Sequence, residues 1–315
     1  MARRSPEPPP RIVSRPLQGD EDWWRLRRLL VEIAPLAPPG YCWDVRRLDG
    51  SRFYHADPPR NPRWQTLTRL WETVEGRLVA AVNQEGRGDA HLQVHPDFRH
   101  LEEGMVAWAE ENLAAPGEEE NRRELELVVF DHDERRRELL ERRGYRKTSD
   151  WGVTRRLRLG DPPPSPPSAA AGYTLRKTRP DELRDRERIA NLLNAAFGRT
   201  FHTAGEYGAF TRMAPSFAAD LDLVAVAPDG CFAAYVGIAY DDANGRGIVE
   251  PVCTHPDHRR NGLARALILE GLTRLEARGA VEATVETGSR EAANALYAGL
   301  ELTGAYRSST WRTII

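Results

Sequence analysis

The chain has few cysteines and no long apolar run among its 315 residues. Its three cysteines, Cys42, Cys231 and Cys253, lie far apart, which argues against a disulfide-stapled secreted fold and favours a reducing, cytoplasmic environment. No segment approaches the roughly 18 apolar residues of a membrane span, so we expect no membrane partner. Residues 1–10 are rich in Arg and Pro without an apolar stretch behind them, which predicts a disordered tail rather than a signal peptide.

The chain also lacks an excess of charge of either sign. It has 45 Lys and Arg against 47 Asp and Glu, so there is no chain-wide basic field, and we expect no nucleic-acid partner. Apolar residues make up 40% and charged residues 29%, which is enough to bury a core and excludes wholesale disorder. The G-x-S-x-G and H-E-x-x-H motifs are absent, so serine-hydrolase and zincin chemistry has no support.

A proline-rich segment divides the chain near its middle. Residues 161–170 contain five prolines, which cannot lie inside a helix or a central strand and which favour an extended spacer. We therefore place a linker at 161–171, between an N-terminal domain at 11–160 and a C-terminal domain at 172–315. Two domains of this length agree with the usual size of a domain.

The two halves resemble each other. Each has a strand pattern that runs into a His-Pro-Asp-x-Arg segment, at residues 95–99 and 255–259. Each then continues with a long helix, a strand, a short helix and a final strand. Strands that alternate with helices, twice over, predict an α/β protein built from a duplicated domain.

The C-terminal half contains a hairpin and an irregular strand. Residues 221–227 and 232–240 have strand patterns and are joined by a Pro-Asp-Gly turn. Residues 248–254 form a third strand, in which Pro251 removes one backbone N–H from the ladder. Two interpretations stay open: an edge strand, or a bulge at which this strand parts from its neighbour and opens a slot.

A glycine-containing turn with a basic rim follows this strand. Arg259, Arg260 and Gly262 precede a helix whose apolar residues recur at helical spacing to about residue 278. Exposed N–H groups at a helix N-terminus, the positive end of the helix dipole and a glycine together form an anion site. The spacing fits neither a P-loop nor a G-x-G-x-x-G dinucleotide fingerprint.

These motifs, in this order, resemble the GNAT (Gcn5-related N-acetyltransferase) superfamily. Residues 259–264 are similar to the family's R/Q-x-x-G-x-G/A motif, and residues 294–297 are similar to its N-x-x-A-x-x-L-Y element. The resemblance covers most of 172–315, and the doubled arrangement is similar to tandem-GNAT proteins such as mycothiol synthase. It implies two tandem GNAT domains, each a twisted mixed sheet flanked by helices, with a splayed central strand pair in the C-terminal domain.

The resemblance implies that acetyl-CoA is the co-substrate and assigns its contacts. In the family, the backbone of the splayed strand pairs with the pantetheine arm, and the glycine turn holds the pyrophosphate. An asparagine on the later helix would contact the cofactor arm. The residues assigned in this way are Val252, Cys253, Thr254, Arg259, Arg260, Asn261, Gly262, Leu263, Ala264, Arg265 and Asn294.

Two residues are candidates for the chemistry. The resemblance implies that Tyr297 lies near the thioester sulfur and donates a proton or hydrogen bond to the departing thiolate. Glu250 lies two residues before Val252, so strand alternation would place both side chains on one face, where the carboxylate could take the proton of an amine. A strand-end salt bridge for Glu250 and a half-buried core position for Tyr297 stay open as alternatives.

An aromatic, partly acidic segment follows the first helix of the C-terminal half. In GNAT folds the equivalent region lines the acceptor site, which implies substrate contacts for Phe201, His202, Glu206, Tyr207 and Phe210. Such a lining would suit a small amine. Simple helix packing explains the same pattern equally well.

The first half resembles a degenerate copy of the second. The position that matches Gly262 holds Glu102, whose carboxylate would crowd the turn and repel a pyrophosphate. Together with Glu103 it suits the first turn of a helix. We expect this half to keep the fold, to have lost the cofactor, and to serve as a structural element or one wall of the substrate cleft. The alternative is an unusual CoA site.

Taken together, these patterns predict a tandem-GNAT acyltransferase. We expect its C-terminal half to bind acetyl-CoA, and a primary amine of a small molecule to attack the thioester directly in a ternary complex. No metal is expected, because Cys253-x-His255-x-x-His258 lacks the spacing of a structural zinc site. We expect a monomer or a homodimer. A peptide or protein N-acetyltransferase and a non-catalytic acyl-CoA-binding module stay open as alternatives.

Overall fold

The computed structural model describes residues 10–57, 65, 67–117, 122–160, 170–300 and 304–315. Nearly all of the predicted tail at 1–10 and most of the predicted linker at 161–171 lie outside these residues. None of the helices within the described ranges is long and apolar enough to cross a membrane.

The first half consists of alternating strands and helices, as its sequence pattern predicts. The strands are β1 (Ile12–Pro16), β2 (Thr68–Thr73), β3 (Leu78–Asn83), β4 (Asp89–Val94), β5 (Ala115–Pro116), β6 (Arg123–Phe130) and β7 (Arg146–Arg158). The helices are α1 (Gly19–Ile33), α2 (Val45–Phe53), α3 (Glu102–Asn112) and α4 (Glu134–Arg142). A 3-10 helix at Pro96–Leu101 leads directly into α3.

The second half repeats this order of elements. Its strands are β8 (Thr174–Lys177), β9 (Asp222–Val226), β10 (Phe232–Asp241), β11 (Arg246–Thr254), β12 (Glu282–Thr287) and β13 (Gly304–Ile314). Its helices are α5 (Leu183–Phe197), α6 (Ala204–Met213), α7 (Leu263–Ala277) and α8 (Glu291–Ala298). In α7 the predicted apolar positions are buried, because they share the face that packs on the sheet.

The thirteen strands of the described ranges join one continuous mixed sheet. Its order is β1-β2-β3-β4-β6-β13-β7-β12-β11-β10-β9-β8, and β5 pairs with β6 beside this path. The predicted α/β fold with mixed sheets flanked by helices is confirmed. The structure adds that the sheets of the two halves are joined edge to edge.

The final strands of the two halves are exchanged at this junction. Residues 308–314 of β13 pair with residues 124–130 of β6, and the other edge of β13 pairs with β7. Residues 153–158 of β7 pair in turn with residues 282–287 of β12. Each half therefore completes the sheet of the other, so the proline-rich linker divides the chain in sequence but not in its sheet.

Side chains of the exchanged strands pack in or against the opposite core. Trp311 of β13 belongs to the first-half core around Trp23 and Leu140. Leu157 of β7 and Leu159 just after it pack against the second-half core. Burying a large apolar side chain stabilises a fold by about 1.5–3 kcal/mol, and these contacts exist only when both halves are folded. The two halves therefore depend on each other for stability.

Strand β11 diverges from its parallel neighbour. Within the described residues it pairs with β12 through residues 246–248 only, whereas its pairing with β10 continues to Thr254. The register against β10 shifts so that Gly237 faces both Glu250 and Pro251. This is the bulge predicted at Pro251, and together with the divergence it opens the sheet at the end of β11.

Candidate active site

A cleft of about 1320 Å³ opens where β11 and β12 diverge. Glu250, Tyr297 and ten of the eleven residues predicted to contact acetyl-CoA line it. From the first half, α2 with its flanking residues and part of β7 line the same cleft. The interpretation that the first half forms one wall of the cleft is therefore supported.

The turn before α7 presents unpaired backbone donors. Arg260 (φ 67°) and Gly262 (φ 68°) adopt the left-handed conformation, which glycine takes freely and which costs another residue about 1–2 kcal/mol. Helix α7 then begins at Leu263 without a side-chain cap, so its first N–H groups have no partner within the helix. A Cβ built on Gly262 would meet nothing within 4 Å, which shows that the space before these groups is open. The turn thus fits a diphosphate.

The outer edge of β11 is available beyond residue 248. On its inner edge Val252, Cys253 and Thr254 pair with β10. On the other edge, the described residues provide no strand partner after Ile248. This edge lines the cleft and offers N–H and C=O groups at strand spacing, as an extended, amide-containing arm would require.

Three carboxylates, Asp44, Glu250 and Glu286, line both the cleft and an adjoining cavity of about 100 Å³. Burial and the negative charge of Glu250 raise the pKa of Asp44 to about 6. Burial also raises the pKa of Glu286, although the positive charge of Arg47 opposes this. A carboxylate with a pKa near 6 is well matched to accept a proton at neutral pH.

The bulge corrects the argument that led to Glu250. Alternation along a regular strand would place Glu250 and Val252 on one face, but the bulge at residues 250–251 interrupts the alternation. Both side chains nevertheless line the cleft. Glu250 is exposed within it, and the described residues contain no salt-bridge partner for this carboxylate within 4.0 Å. The alternative of a strand-end salt bridge therefore has no support.

Tyr297 belongs both to the core and to the cleft. Its side chain is 5% exposed, packs in the second-half core and lines the cleft from α8. Burial raises its pKa to about 12, while the guanidinium of Arg155, 5.9 Å from the ring centroid, acts in the opposite direction. The phenol is therefore protonated at neutral pH, which is the state needed to donate to a thiolate.

Asn294 does not line the cleft. Its amide nitrogen donates to the backbone oxygens of Gly288 and Arg290, at 2.9 Å each, and its side-chain oxygen accepts from Arg155 at 2.8 Å. These bonds hold the turn that leads into α8. In the structure Asn294 thus stabilises this turn, and its contact with the cofactor arm stays a prediction.

The predicted acceptor residues are mostly engaged elsewhere. His202 lines the cleft. Tyr207, however, is 1% exposed, and its hydroxyl donates to Asp222 and, at 3.0 Å, to Thr178. Burial raises the pKa of Asp222, whose carboxylate also accepts from Tyr235 at 2.6 Å. Tyr207 is thus part of a satisfied polar network in the core and not of the acceptor site.

Helix packing also accounts for the rest of this segment. Phe210 is buried, with its ring centroid 5.6 Å from that of Tyr54. Glu206 closes a capping box with Thr203 at the start of α6. Phe201 is 60% exposed and does not line the cleft. None of these three side chains lines the cleft, and their contact with a substrate stays a prediction.

Sequence reasoning missed the first-half residues of the cleft. Asp44, Arg46, Arg47, Tyr54 and Trp151 all line it. The sequence offered one local feature here, an aspartate that can cap a helix. The side chain of Asp44 accepts the N–H of Arg47 at 2.8 Å as the N-cap of α2. No local pattern places this helix beside β11.

The matching turn of the first half is closed by its own charges. Glu102 is 1% exposed and accepts hydrogen bonds from Arg99 at 2.9 Å and Arg136 at 3.0 Å. Asp133 accepts from Arg99 at 2.5 Å. These arginines are neutralised inside the protein, which supports the interpretation of a degenerate copy.

In the described ranges, no group of three or more His, Cys, Asp or Glu side chains is arranged to hold a metal ion.

Comparison with known families identifies the class of the second half. The model of the acetyltransferase (GNAT) family matches residues 186–300. This segment contains β11, the glycine turn, α7 and α8, so the similarity to the family falls on the elements that form the cleft. The predicted resemblance of this segment to the family is confirmed. No curated protein matches the chain significantly.

Solved structures extend the likeness to both halves. A GCN5-related N-acetyltransferase from Sphaerobacter thermophilus gives a TM-score of 0.65 at 23% identity, covering 97% of this chain and 96% of that one. A tandem GNAT protein from the clavulanic acid biosynthesis pathway gives 0.64 at 18% identity, covering 96% and 98%. A glucosamine N-acetyltransferase region of a fungal multi-domain GH3 β-N-acetylglucosaminidase gives 0.56 at 13% identity, covering 96% and 38%. At these identities the likeness establishes the tandem fold.

Proposed function

We propose that the protein is an N-acetyltransferase that transfers an acetyl group from acetyl-CoA to a primary amine of a small molecule, by direct attack in a ternary complex. One observation carries this proposal. An uncapped helix N-terminus with an arginine rim, an available strand edge, three carboxylates and a buried tyrosine all line a single cleft.

The binding groups of the chain suit a diphosphate joined to an extended arm. The N–H groups of residues 262–265 and the arginines at 259, 260 and 265 would hold the diphosphate. The outer edge of residues 249–254 would pair with the amides of a pantetheine arm. When bound in this way, acetyl-CoA supplies the activated thioester.

The residues between these two regions handle the protons. Glu250 is the proposed base for the amine, and Asp44, whose carboxylate interacts electrostatically with Glu250, would receive or relay the proton. Tyr297, protonated at neutral pH, would donate to the departing thiolate. Backbone N–H groups of β11 would stabilise the developing oxyanion.

The composition of the cleft favours a small acceptor over a peptide. First-half residues and residues of α5 line the same cleft, and Tyr54 and His202 lie in it with their ring centroids 5.9 Å apart. Buried Arg46 and Leu193 line the same part of the cleft. A concave site with aromatic rings and a few polar groups suits a compact molecule.

Two further features belong to the proposal. The three cysteines are free thiols in the structure, which supports a reducing compartment such as the cytoplasm. The oligomeric state, monomer or homodimer, stays a prediction that light scattering of the purified protein would decide.

The test measures binding and turnover separately. Calorimetric titration of the full-length protein with acetyl-CoA is expected to show saturable binding, and thiol release is expected to depend on an added amine. Binding without thiol release across a broad amine panel would favour the acyl-CoA-binding module. Release with peptides alone would favour the peptide N-acetyltransferase.

A further inference from the structure

A buried cation on the acceptor side of the cleft makes no direct ion pair with any described residue, although burial is opposed by the more distant charges of Glu250 and Asp44, which raise its pKa. Arg46, in the first turn of α2, is 8% exposed and lines the cleft. Within the described residues its guanidinium makes neither a hydrogen bond nor an ion pair within 4.0 Å, and its Nε atom is buried without a partner. Buried donors without hydrogen bonds are costly, so this guanidinium can offer its N–H groups to an anion that enters the cleft.

Other buried arginines of the same half are paired. Arg52, one and a half turns further along α2, forms an ion pair with Asp20 at 2.6 Å. Arg136 forms one with Glu102 at 3.0 Å. Arg46 instead stacks on an aromatic face, with its guanidinium carbon 4.7 Å from the centroid of the Phe210 ring. This contact orients the guanidinium without using its hydrogen-bond donors.

The helix is built to hold Arg46 in this position. A Cβ on Gly50 would lie 2.4 Å from Nη1 of Arg46, so the guanidinium lies across a glycine in the middle of α2. Glycine there destabilises a helix relative to alanine, and the space it leaves is what this side chain needs. The buried guanidinium and the three carboxylates thus line the same cleft.

We propose that the acceptor is an amine that also carries an anionic oxygen group, a carboxylate or a phosphate. Arg46 binds that group, while Asp44, Glu250 and Glu286 attract the ammonium. The inference rests on the proposed function and narrows its substrate class. A neutral analogue would leave the buried guanidinium unpaired, so this site discriminates against simple amines.

The experiment compares matched acceptors. Thiol release from acetyl-CoA is measured with amino carboxylic acids against their amides, and with aminoalkyl phosphates against the corresponding amino alcohols. The anionic member of a productive pair is expected to have a kcat/KM roughly 10- to 100-fold above that of its neutral counterpart. The two series show which anionic group is preferred.

Variants test whether Arg46 causes this preference. Arg46→Met keeps a long, unbranched side chain but removes the charge. It is expected to bring the ratio of kcat/KM between the anionic and the neutral acceptor close to one. Arg46→Lys keeps the charge without the planar fork and is expected to give an intermediate ratio. Arg52→Met is the control, because Arg52 is buried on the same helix but does not line the cleft, and the ratio is expected to stay at the wild-type value.

The outcomes separate the inference from the proposed function. If neutral and anionic acceptors react equally well in the wild-type protein, or if Arg46→Met slows every acceptor by the same factor, the inference is wrong while the acetyltransferase stands. If no amine is acetylated, the proposed function fails. Calorimetric titration of the same acceptor pairs into protein saturated with CoA then still decides the inference, from the ratio of their affinities.

Discussion

The two halves of the molecule each contain a His-Pro-Asp turn, and the two turns have the same hydrogen bonds. His95 and His255 each accept, through Nδ1, the N–H of the aspartate two residues further on, at 3.2 and 3.3 Å. The backbone N–H groups of the same histidines donate to Val79 and Ala233, at 2.9 and 2.8 Å. Because the frame is the same, the halves can be compared position by position.

The halves diverge a few residues later. In the second half, the left-handed turn at Gly262 leaves the start of α7 open toward the cleft. In the first half the chain stays helical into α3, and Glu102 is buried between Arg99 and Arg136. A turn that offers donors to an external anion in one half is thus neutralised by an internal carboxylate in the other.

The short helix shows a second difference. Counted from Glu134 at the start of α4 and Glu291 at the start of α8, the position of Tyr297 corresponds to Leu140. Leu140 is fully buried and has no proton to donate. The first half has therefore kept the apolar packing that holds the fold and lost the polar groups that chemistry would need.

Copying the first half's carboxylate into the second half has the largest expected effect. Gly262→Glu places a negative charge at the anion site and strains the backbone, so we expect the Kd for acetyl-CoA, measured by calorimetry, to rise more than about 100-fold. Gly262→Ala strains the backbone without adding a charge, and it is expected to raise the Kd for acetyl-CoA about 10-fold. Gly279→Glu, in a similar conformation (φ +79°) beyond the far end of α7, is the control. An unchanged Kd in Gly262→Glu would show that the diphosphate is held elsewhere.

The reverse comparison tests the internal charge pairs of the first half. Glu102→Gln leaves Arg99 and Arg136 without this carboxylate, so we expect the free energy of unfolding to fall by about 3 kcal/mol in denaturant titrations. The neighbouring Glu103→Gln, whose side chain is 71% exposed, is expected to change it by less than about 0.5 kcal/mol. Equal effects of the two substitutions would contradict a specific role for Glu102.

Tyr297→Phe makes the second half more like the first at the proton-donor position. We expect kcat to fall by roughly 10- to 100-fold while the Kd for acetyl-CoA stays unchanged, because only the hydroxyl is removed. Tyr306→Phe, outside the cleft, is expected to leave both values unchanged. A change in Kd without a change in kcat would assign Tyr297 to binding.

The smallest expected effect is a shift in pH dependence. The pKa of Asp44 lies at about 6, so activity that needs its charge rises with pH through that value. Glu250→Gln removes the negative charge that raises the pKa of Asp44. In the activity that this variant keeps, the acidic limb of the pH profile of kcat/KM is expected to move to lower pH by up to about one unit. Asp44→Asn is expected to abolish this limb, whereas Asp97→Asn, in an exposed turn, leaves it in place. If the acidic limb neither shifts in Glu250→Gln nor disappears in Asp44→Asn, it reports the titration of another group.

Much of the second-half site was predictable because its residues are close together in the chain. Gly262, its arginines and the strand before them lie within one strand-turn-helix unit, and the structure brings them to one cleft. Tyr207 and Phe210 are buried in the core and do not line the cleft, and the sequence could not show this because an aromatic spacing looks the same in a lining and in a core. Glu102 could be interpreted because it contrasts with a glycine at the matching position.

The sequence by itself determined the duplication, the order of strands and helices, the interruption at Pro251 and the anion turn at Gly262, because each is a local pattern of propensity, spacing and charge. The tertiary structure alone decided the exchange of β7 and β13 and the meeting of Asp44 and Arg46 with Glu250. These depend on which sheet edges pair across the whole chain, and the pairing energy comes from contacts that no local segment encodes.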